Sequence, residues 1–354
     1  IPVHRNSTFR GAVAIAALAL VGVGCSTDAS TRSGEADAGP TTTAAPVTTA
    51  ATIPAGVTLR VGDQLDYLKT VLNLAGEDQN FDYTVEYSAF IGGPPMLQAF
   101  QADAVDTGFV GSTPLIFAQA GDQKITAIAG WASENGAYGL LTAPGHDDIT
   151  GWADLKGKKV AYQKGTAGQA ALLQALDGVG LTLADIETVD LPQTQVSSAL
   201  QGGSADAGIS IEPLTSLFLL SDPTAKQVDK AGEITDRSNF VIASEATLDD
   251  PGKSAALADY VARLVRSFKF LKDHRNLIAE SVYVKQYGLP LERANEVVAA
   301  AGDISFVELP GEIVEAQQRL ADLFQEAGEI PAKIDVAAEF DTRFNELIQK
   351  EQGA

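Results

Sequence analysis

The feature that most constrains the fold is a regular alternation of short apolar runs with helix-forming runs between residues 57 and 244. The runs VTLRVG, KKVAYQ and ADAGISI have the length and the β-branched content of buried strands. Each is followed by a turn and then by a run in which apolar residues recur at helical spacing. Strands that alternate with helices indicate sheets built from β–α–β units, so we predict an α/β fold that binds its ligand at the carboxyl ends of the strands.

The alternation falls into two series, which predict two lobes. The first series ends near YGLLTA, and the strand-like run NFVIAS returns the chain to it. A long stripe follows with apolar residues at spacings of three and four, which predicts a helix packed on a core. The stripe consists of Leu257, Tyr260, Val261, Leu264, Val265, Phe268 and Leu271. We predict that residues 57–138 with 239–354 form lobe 1, that residues 139–238 form lobe 2, and that two crossover segments join them.

The first 56 residues have the layout of an exported and tethered leader. Two arginines and no acid precede the apolar run GAVAIAALALVGV, which is too short to span a bilayer and ends near Cys25. The next 31 residues are rich in Thr, Ala, Ser, Gly and Pro and have too few large apolar side chains to fold. The lone cysteine after VGVG resembles the lipobox of bacterial lipoproteins, in which that cysteine is lipidated. This resemblance implies that residues 1–24 are a lipoprotein signal peptide and that residues 25–56 are a lipidated cysteine followed by a disordered tether.

Charge and residue counts exclude several classes of function. The formal net charge of −21 repels nucleic acid and anionic lipid surfaces. Cys25 is the only cysteine, so a disulfide and a cysteine-based metal site are excluded. The three histidines, His4, His146 and His274, are far apart, and none is placed to serve a nucleophile as a base. We therefore expect no nucleic-acid partner, no metal, no cofactor and no catalysis.

Several predicted turns place glycine, hydroxyl or amide groups at the start of a helix. In TGFVGSTPLIFAQAG, Ser112 and Thr113 follow a buried strand and precede a proline, which suits the first positions of a helix. In YQKGTAGQA, Thr166 and Ala167 occupy the equivalent place in the second series. Free N–H groups at helix starts bind anions. One such turn in each lobe predicts an anion held between the lobes.

These stretches resemble the aliphatic-sulfonate group of ABC-transporter solute-binding proteins. The resemblance rests on GGPPMLQAFQADAVDTGFVGSTPLIFAQAGDQKITAIA, DLKGKKVAYQKGTAGQAALLQALDGVGL and DRSNFVIAS, and it covers most of residues 57 to 300. The group also holds taurine-binding and nitrate-binding members and binders of the thiamine pyrimidine precursor. The resemblance implies a two-lobed venus-flytrap of the periplasmic-binding-protein type II, which delivers a solute to a membrane permease.

The resemblance also implies ligand contacts in lobe 1. Gln64 matches the glutamine of the family's first loop. Gly92 and Gly93 match its Gly-Pro-Pro turn, and Ser112 and Thr113 match its Gly-Asp/Ser-x-Pro turn. These five residues are therefore candidate ligand contacts.

The same resemblance implies a second set of candidate ligand contacts. Thr166 matches the family's Lys-Gly-Ser/Thr turn, and Ala167 follows it. Arg237 and Asn239 fall in DRSNF, which is similar to the family's Ser-Asn-Arg-Ser stretch. Trp131, after the fourth strand, either faces the cleft or packs in the core.

The triplet Ile211-Glu212-Pro213 departs from the family, whose sulfonate binders often carry Trp-Asp-Pro at this place. Glu212 either caps the helix that starts at Pro213 or accepts a hydrogen bond from an amine, amide or hydroxyl group of the ligand. The departure leaves other ligands open, namely nitrate or a thiamine-precursor-like pyrimidine. A desulfinase-like or pyrimidine-synthase-like enzyme on the same fold is a further alternative.

The sequence as a whole predicts a monomeric solute-binding lipoprotein on the extracytoplasmic face of the cell membrane. We expect it to capture a small organic anion, an alkane- or arylsulfonate, between its two lobes. We expect it to deliver this anion to ABC permease subunits and to be held at the membrane by its lipid anchor.

Overall fold

The computed structural model describes residues 46–47, 52–135, 138–230, 238–311 and 313–353. Cys25, the predicted signal peptide, most of the predicted tether and Arg237 lie outside the described residues. The predictions made for them therefore stay predictions.

The strands of the described chain form two separate sheets. The first sheet has the order β11-β4-β10-β3-β1-β2, and the second has the order β7-β6-β8-β5-β9. The strands are β1 (Thr58–Gln64), β2 (Thr84–Phe90), β3 (Thr107–Gly111), β4 (Ile125–Ser133), β5 (Tyr138–Thr142), β6 (Lys159–Tyr162), β7 (Glu187–Asp190), β8 (Ala207–Ile211), β9 (Lys226–Lys230), β10 (Ser238–Ser244) and β11 (Ile304–Val307).

Helices connect and cover these strands. They are α1 (Tyr67–Ala75), α2 (Gly93–Gln101), α3 (Ser112–Ala120), α4 (Ala167–Gly178), α5 (Gln193–Gln201), α6 (Leu214–Ser221), α7 (Glu245–Asp249), α8 (Pro251–Asp273), α9 (Arg275–Ile278), α10 (Leu291–Ala301), α11 (Ile313–Glu326) and α12 (Asn345–Gly353). Short 3₁₀ segments span Trp152–Leu155, Leu183–Asp185 and Val336–Glu339, and a π-helical segment spans Ala279–Gln286. In the part of the chain that the structure covers, no helix combines the length and the apolar character needed to cross a membrane.

The pairing of the strands brings several strand ends to one place. In the first sheet, β1 is parallel to β2 and β3, and β10 lies antiparallel between β3 and β4. Asn239 at the start of β10 is paired with Gly111 on one side and with Trp131 on the other. In the second sheet, β6 is parallel to β7 and β8. The predicted α/β fold with two strand-and-helix units is therefore confirmed.

The chain passes between the two sheets twice, after β4 and again between β9 and β10. The predicted crossover run YGLLTA itself forms β5 of the second sheet, and NFVIAS forms β10 of the first. Apart from Tyr138, which begins β5, and Ser238, which begins β10, the sheet membership of the strands follows the division into lobe 1 (57–138 with 239–354) and lobe 2 (139–238), which stays a prediction.

The predicted apolar stripe forms the buried face of α8. All seven stripe residues are buried in the core cluster of the first sheet. Asp250 fixes the start of this helix, because its carboxylate accepts the N–H groups of Gly252 and Lys253, both at 2.9 Å. Pro251 occupies the first helical position, where a missing N–H group costs nothing. Asp250 and Pro251 thus mark where α8 begins, and the apolar stripe marks the face that it buries.

Candidate functional site

A cleft of about 460 Å³ lies where strands of both sheets end. Its walls come from the end of β1, from the starts of α2 to α6, and from residues 278 to 287. A volume of this size is typical of small-molecule sites. Eight of the eleven predicted ligand contacts line it, namely Gln64, Gly92, Gly93, Trp131, Thr166, Ala167, Glu212 and Asn239.

The starts of α2, α3 and α4 meet at this cleft. A methyl group added to Gly93 would lie only 2.2 Å from Cγ of Pro114, so α2 begins in contact with the first turn of α3. A methyl group added to Gly111 would lie 3.8 Å from Cβ of Ala167, so α3 begins beside the start of α4. Glycine is needed at Gly93 because a Cβ atom would overlap the proline ring. The result is a junction of three helix N-termini.

The N-cap residues at this junction do not accept hydrogen bonds from the N–H groups of their own helices through a side chain. Gly92, Gly111 and Thr166 are the N-cap residues of α2, α3 and α4, and none provides a side-chain cap. Away from the cleft, the side chains of Ser244 and Asp250 cap α7 and α8, whereas α10 has no side-chain cap. Uncapped N–H groups and the positive end of the helix dipole favour an anion. The junction therefore has the chemistry of an anion site.

The polar side chains at the junction are held by backbone groups of their own lobe. The hydroxyl group of Thr166 donates to the carbonyl oxygen of Gln163 at 2.7 Å, and Nε2 of Gln64 donates to the carbonyl oxygen of Phe109 at 2.7 Å. These bonds fix the orientation of both side chains. Because these two donors already have acceptors, the backbone N–H groups of the helix starts are the donors that the junction itself offers an anion.

Ser112 and Thr113 are not among the residues that line the cleft. They are 3% and 0% exposed, and their hydroxyl oxygens make no hydrogen bond within the described residues. The flanking residues Gly111 and Pro114 line the cleft instead. The contact of Ser112 and Thr113 with a ligand therefore stays a prediction.

Glu212 lines the cleft and also has partners within the protein. Its Oε2 atom accepts hydrogen bonds from the N–H group of Ser216 at 3.3 Å and from its hydroxyl group at 2.6 Å. Because Ser216 lies in the first turn of α6, this is the capping role that the sequence offered as one alternative. Oε1 of Glu212 forms an ion pair with Nη2 of Arg293 at 3.3 Å. Arg293 Nε also donates to Oγ of Ser216 at 2.8 Å, which closes a three-residue network.

Trp131 both packs in the core and reaches the cleft, the two positions that the sequence left open. It is 2% exposed and packs against Phe109, Phe268 and Phe306, with ring centroids 5.4, 5.2 and 5.9 Å away. It also contributes to the cleft wall. The tryptophan therefore continues the aromatic core up to the surface of the cleft.

Sequence reasoning missed the part of the cleft that follows α9. Tyr283 and Tyr287 line it from the π-helical segment and the residue after it. Burial raises the pKa of Tyr283, and the nearby charge of Glu212 raises it further, so its phenol stays a neutral donor at physiological pH. The two tyrosines in SVYVKQYG are four positions apart and therefore lie on one face of a helix. This spacing is the sequence pattern that could have predicted them as cleft residues.

The cleft is apolar apart from the helix starts and a few neutral polar groups. Among the described residues that line it, Glu212 is the only charged side chain, and Arg293 offsets its charge. No group of three or more His, Cys, Asp or Glu residues in the described ranges is arranged to hold a metal ion. The cleft can therefore hold a mainly apolar molecule whose anionic group faces the helix starts.

Comparisons with known proteins agree with this arrangement. A family model described as NMT1/THI5 like matches residues 92–269, half of the chain. A Bacillus subtilis (strain 168) protein, named as a candidate aliphatic sulfonates-binding protein, is 31% identical over 268 residues, which cover 73% of this chain and 77% of that protein.

Solved structures share the fold. The alkanesulfonate-binding protein SsuA from Xanthomonas axonopodis pv. citri, bound to MOPS, has a TM-score of 0.73 and 25% identity and covers 82% of this chain and 99% of its own. A Candida albicans protein described as having the generic periplasmic binding protein fold has a TM-score of 0.64 and 18% identity, with coverage of 82% and 95%. The predicted periplasmic-binding-protein fold is therefore confirmed. With the family model matching half of its length and a relative above 30% identity, the chain belongs to the NMT1/THI5-like family.

Proposed function

We propose that this protein is the solute-binding component of an ABC importer and that it captures an organic sulfonate in the cleft. The observation that carries the proposal is the junction of the α2, α3 and α4 N-termini in a cleft whose walls are mainly apolar. The names of the Bacillus subtilis and Xanthomonas relatives support the same ligand class.

The chemistry of a sulfonate fits the two parts of the cleft. Its tetrahedral head is permanently charged and accepts several hydrogen bonds, which the free N–H groups of α3 and α4 supply. Each helix N-terminus contributes about 0.3–1 kcal/mol, and up to about 2 kcal/mol where it is partly buried. The organic body of the ligand lies against the apolar and aromatic walls, where its burial adds to affinity. Arg237, two positions before Asn239, adds a charge-assisted bond to the head in this proposal.

The remaining parts of the proposal rest on the sequence and the relatives. Lipidation at Cys25, after removal of residues 1–24, holds the protein on the extracytoplasmic face of the membrane. The tether of residues 25–56 lets the two lobes reach a permease. The protein acts as a monomer and performs no catalysis. Nitrate and thiamine-precursor-like pyrimidines are the alternative ligands.

A thermal-shift panel tests the ligand class. It contains alkane- and arylsulfonates, taurine, sulfate, nitrate and aminopyrimidines. A ligand at a hundredfold excess over its Kd stabilises the folded protein by about 2.7 kcal/mol. We expect sulfonates to raise the melting temperature. A response to nitrate or to neutral pyrimidines alone would contradict sulfonate capture. It would still agree with a solute-binding role for the fold.

The role of the helix starts is tested by removing one N–H group. Ala167 is the first residue of α4, a position that accepts proline, and Thr166 before it has the extended ψ of 164° that proline requires. We expect Ala167→Pro to keep the fold and to weaken sulfonate binding. Leu291→Pro is the matched control, since Leu291 is the first residue of α10 and does not line the cleft. Equal sulfonate affinity in both variants would contradict anion binding at α4.

A further inference from the structure

The ion pair between Glu212 and Arg293 joins the cleft wall to a helix outside it. Glu212 follows β8 and lines the cleft, whereas Arg293 is the third residue of α10 and does not line it. Nη2 of Arg293 lies 3.3 Å from Oε1 of Glu212, and its Nε donates to Oγ of Ser216 at 2.8 Å. Its Nη1 pairs with Glu296, one turn further along α10, at 3.0 Å. Arg293 therefore acts on the cleft through Glu212.

Glu212 lies near the start of α4, one of the helix starts at the anion junction. Ile211, the residue before it, is paired with Tyr138 across β8 and β5. A methyl group added to Gly168, in the first turn of α4, would lie 3.1 Å from Cε1 of Tyr138. The charge of Glu212 consequently acts in the same part of the cleft as an anion bound at α4.

An unpaired carboxylate in this wall would repel an anionic ligand. The side chain of Glu212 is only 17% exposed, so water and salt screen its charge poorly. Glu296 is 58% exposed and is screened far better. Arg293 is therefore the group that cancels the inner charge, and removing it would leave Glu212 uncompensated.

The same carboxylate occupies the start of α6. Oε2 of Glu212 accepts the N–H and hydroxyl groups of Ser216, in the first turn of that helix. Pro213 and Leu214, next to Glu212, also line the cleft. Because the positive end of α6 already holds an acid, it does not compete with α3 and α4 for the head of the ligand.

We propose that Arg293 is a positioning residue for anion capture, which neutralises Glu212 and holds its carboxylate on α6. The anionic head then binds at α3 and α4 without repulsion from the cleft wall. The proposal rests on the proposed function and adds to it a residue that does not touch the ligand. It predicts changes of affinity in opposite directions when one or the other partner loses its charge.

Titration calorimetry with butanesulfonate tests these opposite effects. This probe has no hydrogen-bond donor, so Glu212 gains no bond from it. We expect Arg293→Gln to weaken binding by about tenfold, the order expected for one uncompensated unit charge in a cleft. Glu212→Gln keeps an acceptor for Ser216 and removes the negative charge, so it should tighten binding. The double variant Glu212→Gln/Arg293→Gln should recover most of the affinity that Arg293→Gln loses, because neither charge remains.

Salt dependence separates the effect of charge from that of packing. The deficit of Arg293→Gln should shrink to below about threefold between about 0.05 and about 0.5 M NaCl, because salt screens an uncompensated charge. Arg293→Lys keeps the charge and should bind more tightly than Arg293→Gln. Arg319→Gln, in an exposed pair with Glu315 on α11, removes one positive charge away from the cleft and is the control. It should keep the wild-type affinity.

The outcomes distinguish this proposal from a purely structural ion pair. A pair that only joins two segments is broken whichever member is removed, so an equal loss of affinity in both single variants overturns the proposal. Wild-type affinity in Arg293→Gln overturns it as well and leaves sulfonate capture intact. If Arg293→Gln does not fold, Glu212→Gln decides, and weaker binding by that variant overturns the proposal. If the wild-type protein binds no sulfonate, the proposed function fails and this proposal fails with it.

Discussion

The buried carboxyl group of Glu339 gives a prediction with a calculable size. Glu339 is 2% exposed, and one of its carboxyl oxygens accepts a hydrogen bond from Nε2 of Gln317 at 2.8 Å. The same Nε2 donates to the carbonyl oxygen of Ser112 at the start of α3. Burial raises the pKa of Glu339 to about 8, and the bond from Gln317 lowers it only in part. The side chain is therefore mostly neutral in the folded protein at pH 7.

The pH dependence follows from the difference between the folded and unfolded states. The unfolded chain releases this proton near the ordinary pKa of 4.5, whereas the folded protein keeps it up to about pH 8. Between these values the folded state binds more protons, so the free energy of unfolding falls as the pH rises. From pH 5 to pH 7 the loss amounts to about 2.5 kcal/mol, at 1.36 kcal/mol per pKa unit. For a protein of this size the corresponding fall in melting temperature is roughly 4 °C.

The substitution Glu339→Gln tests this prediction by calorimetric melting at pH 5, 6, 7 and 8. Glutamine keeps the size of the side chain and the acceptor for Gln317 but does not titrate. We expect the wild-type melting temperature to fall by roughly 4 °C relative to the variant between pH 5 and pH 7. Glu326→Gln, at an exposed position on α11, is the control and should follow the wild type. Parallel profiles for wild type and Glu339→Gln would refute a protonated Glu339.

Three further predictions concern the scaffold, the hinge and the anchor. Asp250→Ala removes the two bonds that cap α8 and should lower the free energy of unfolding by about 1 kcal/mol without changing ligand affinity. Chemical denaturation measures the free energy of unfolding, and titration calorimetry measures the ligand affinity. Small-angle scattering should give a smaller radius of gyration with saturating sulfonate, because we expect the lobes to hinge near residues 138–143 and 236–242. An unchanged curve would contradict closure. Full-length protein should partition into detergent, and Cys25→Ala should not, since two or more acyl chains anchor stably. If both stay in the aqueous phase, lipidation is refuted.

The strands and helices that build the junction were predictable from the sequence because they combine apolar runs with glycine and proline turns. The predicted strand YTVEYSAF corresponds to β2, and KKVAYQ corresponds to β6, each within two residues at either end. Two strands, β9 and β11, were missed. Both lie at the edge of a sheet, where one side of the strand is unpaired and the sequence need not be uniformly apolar. The run KQVDK of β9 is mostly polar and gives no strand signal.

The cleft was predictable only where a local motif marks it. Gly92 and Thr166 belong to turns that any strand-to-helix connection displays, and both line the cleft. Arg293 pairs with Glu212 across 81 positions of sequence, and no local pattern predicts such a contact. The direction of a side chain within the first turn of a helix depends on what packs around that turn. Ser112 therefore looked like a ligand contact in the sequence and is buried in the structure.

The central claim is that the α3 and α4 N-termini hold the anionic head of an organic sulfonate. A crystal structure of the protein with bound octanesulfonate measures this directly, through the distances from the sulfonate oxygens to the backbone nitrogens of the first turns of α3 and α4. We predict at least one such distance to each helix of about 2.7–3.2 Å, the range of an N–H···O hydrogen bond. We also predict that the alkyl chain points away from this junction toward Tyr67 and Tyr283. A sulfonate head bound elsewhere, or a cleft that stays empty at saturating ligand, would contradict the account.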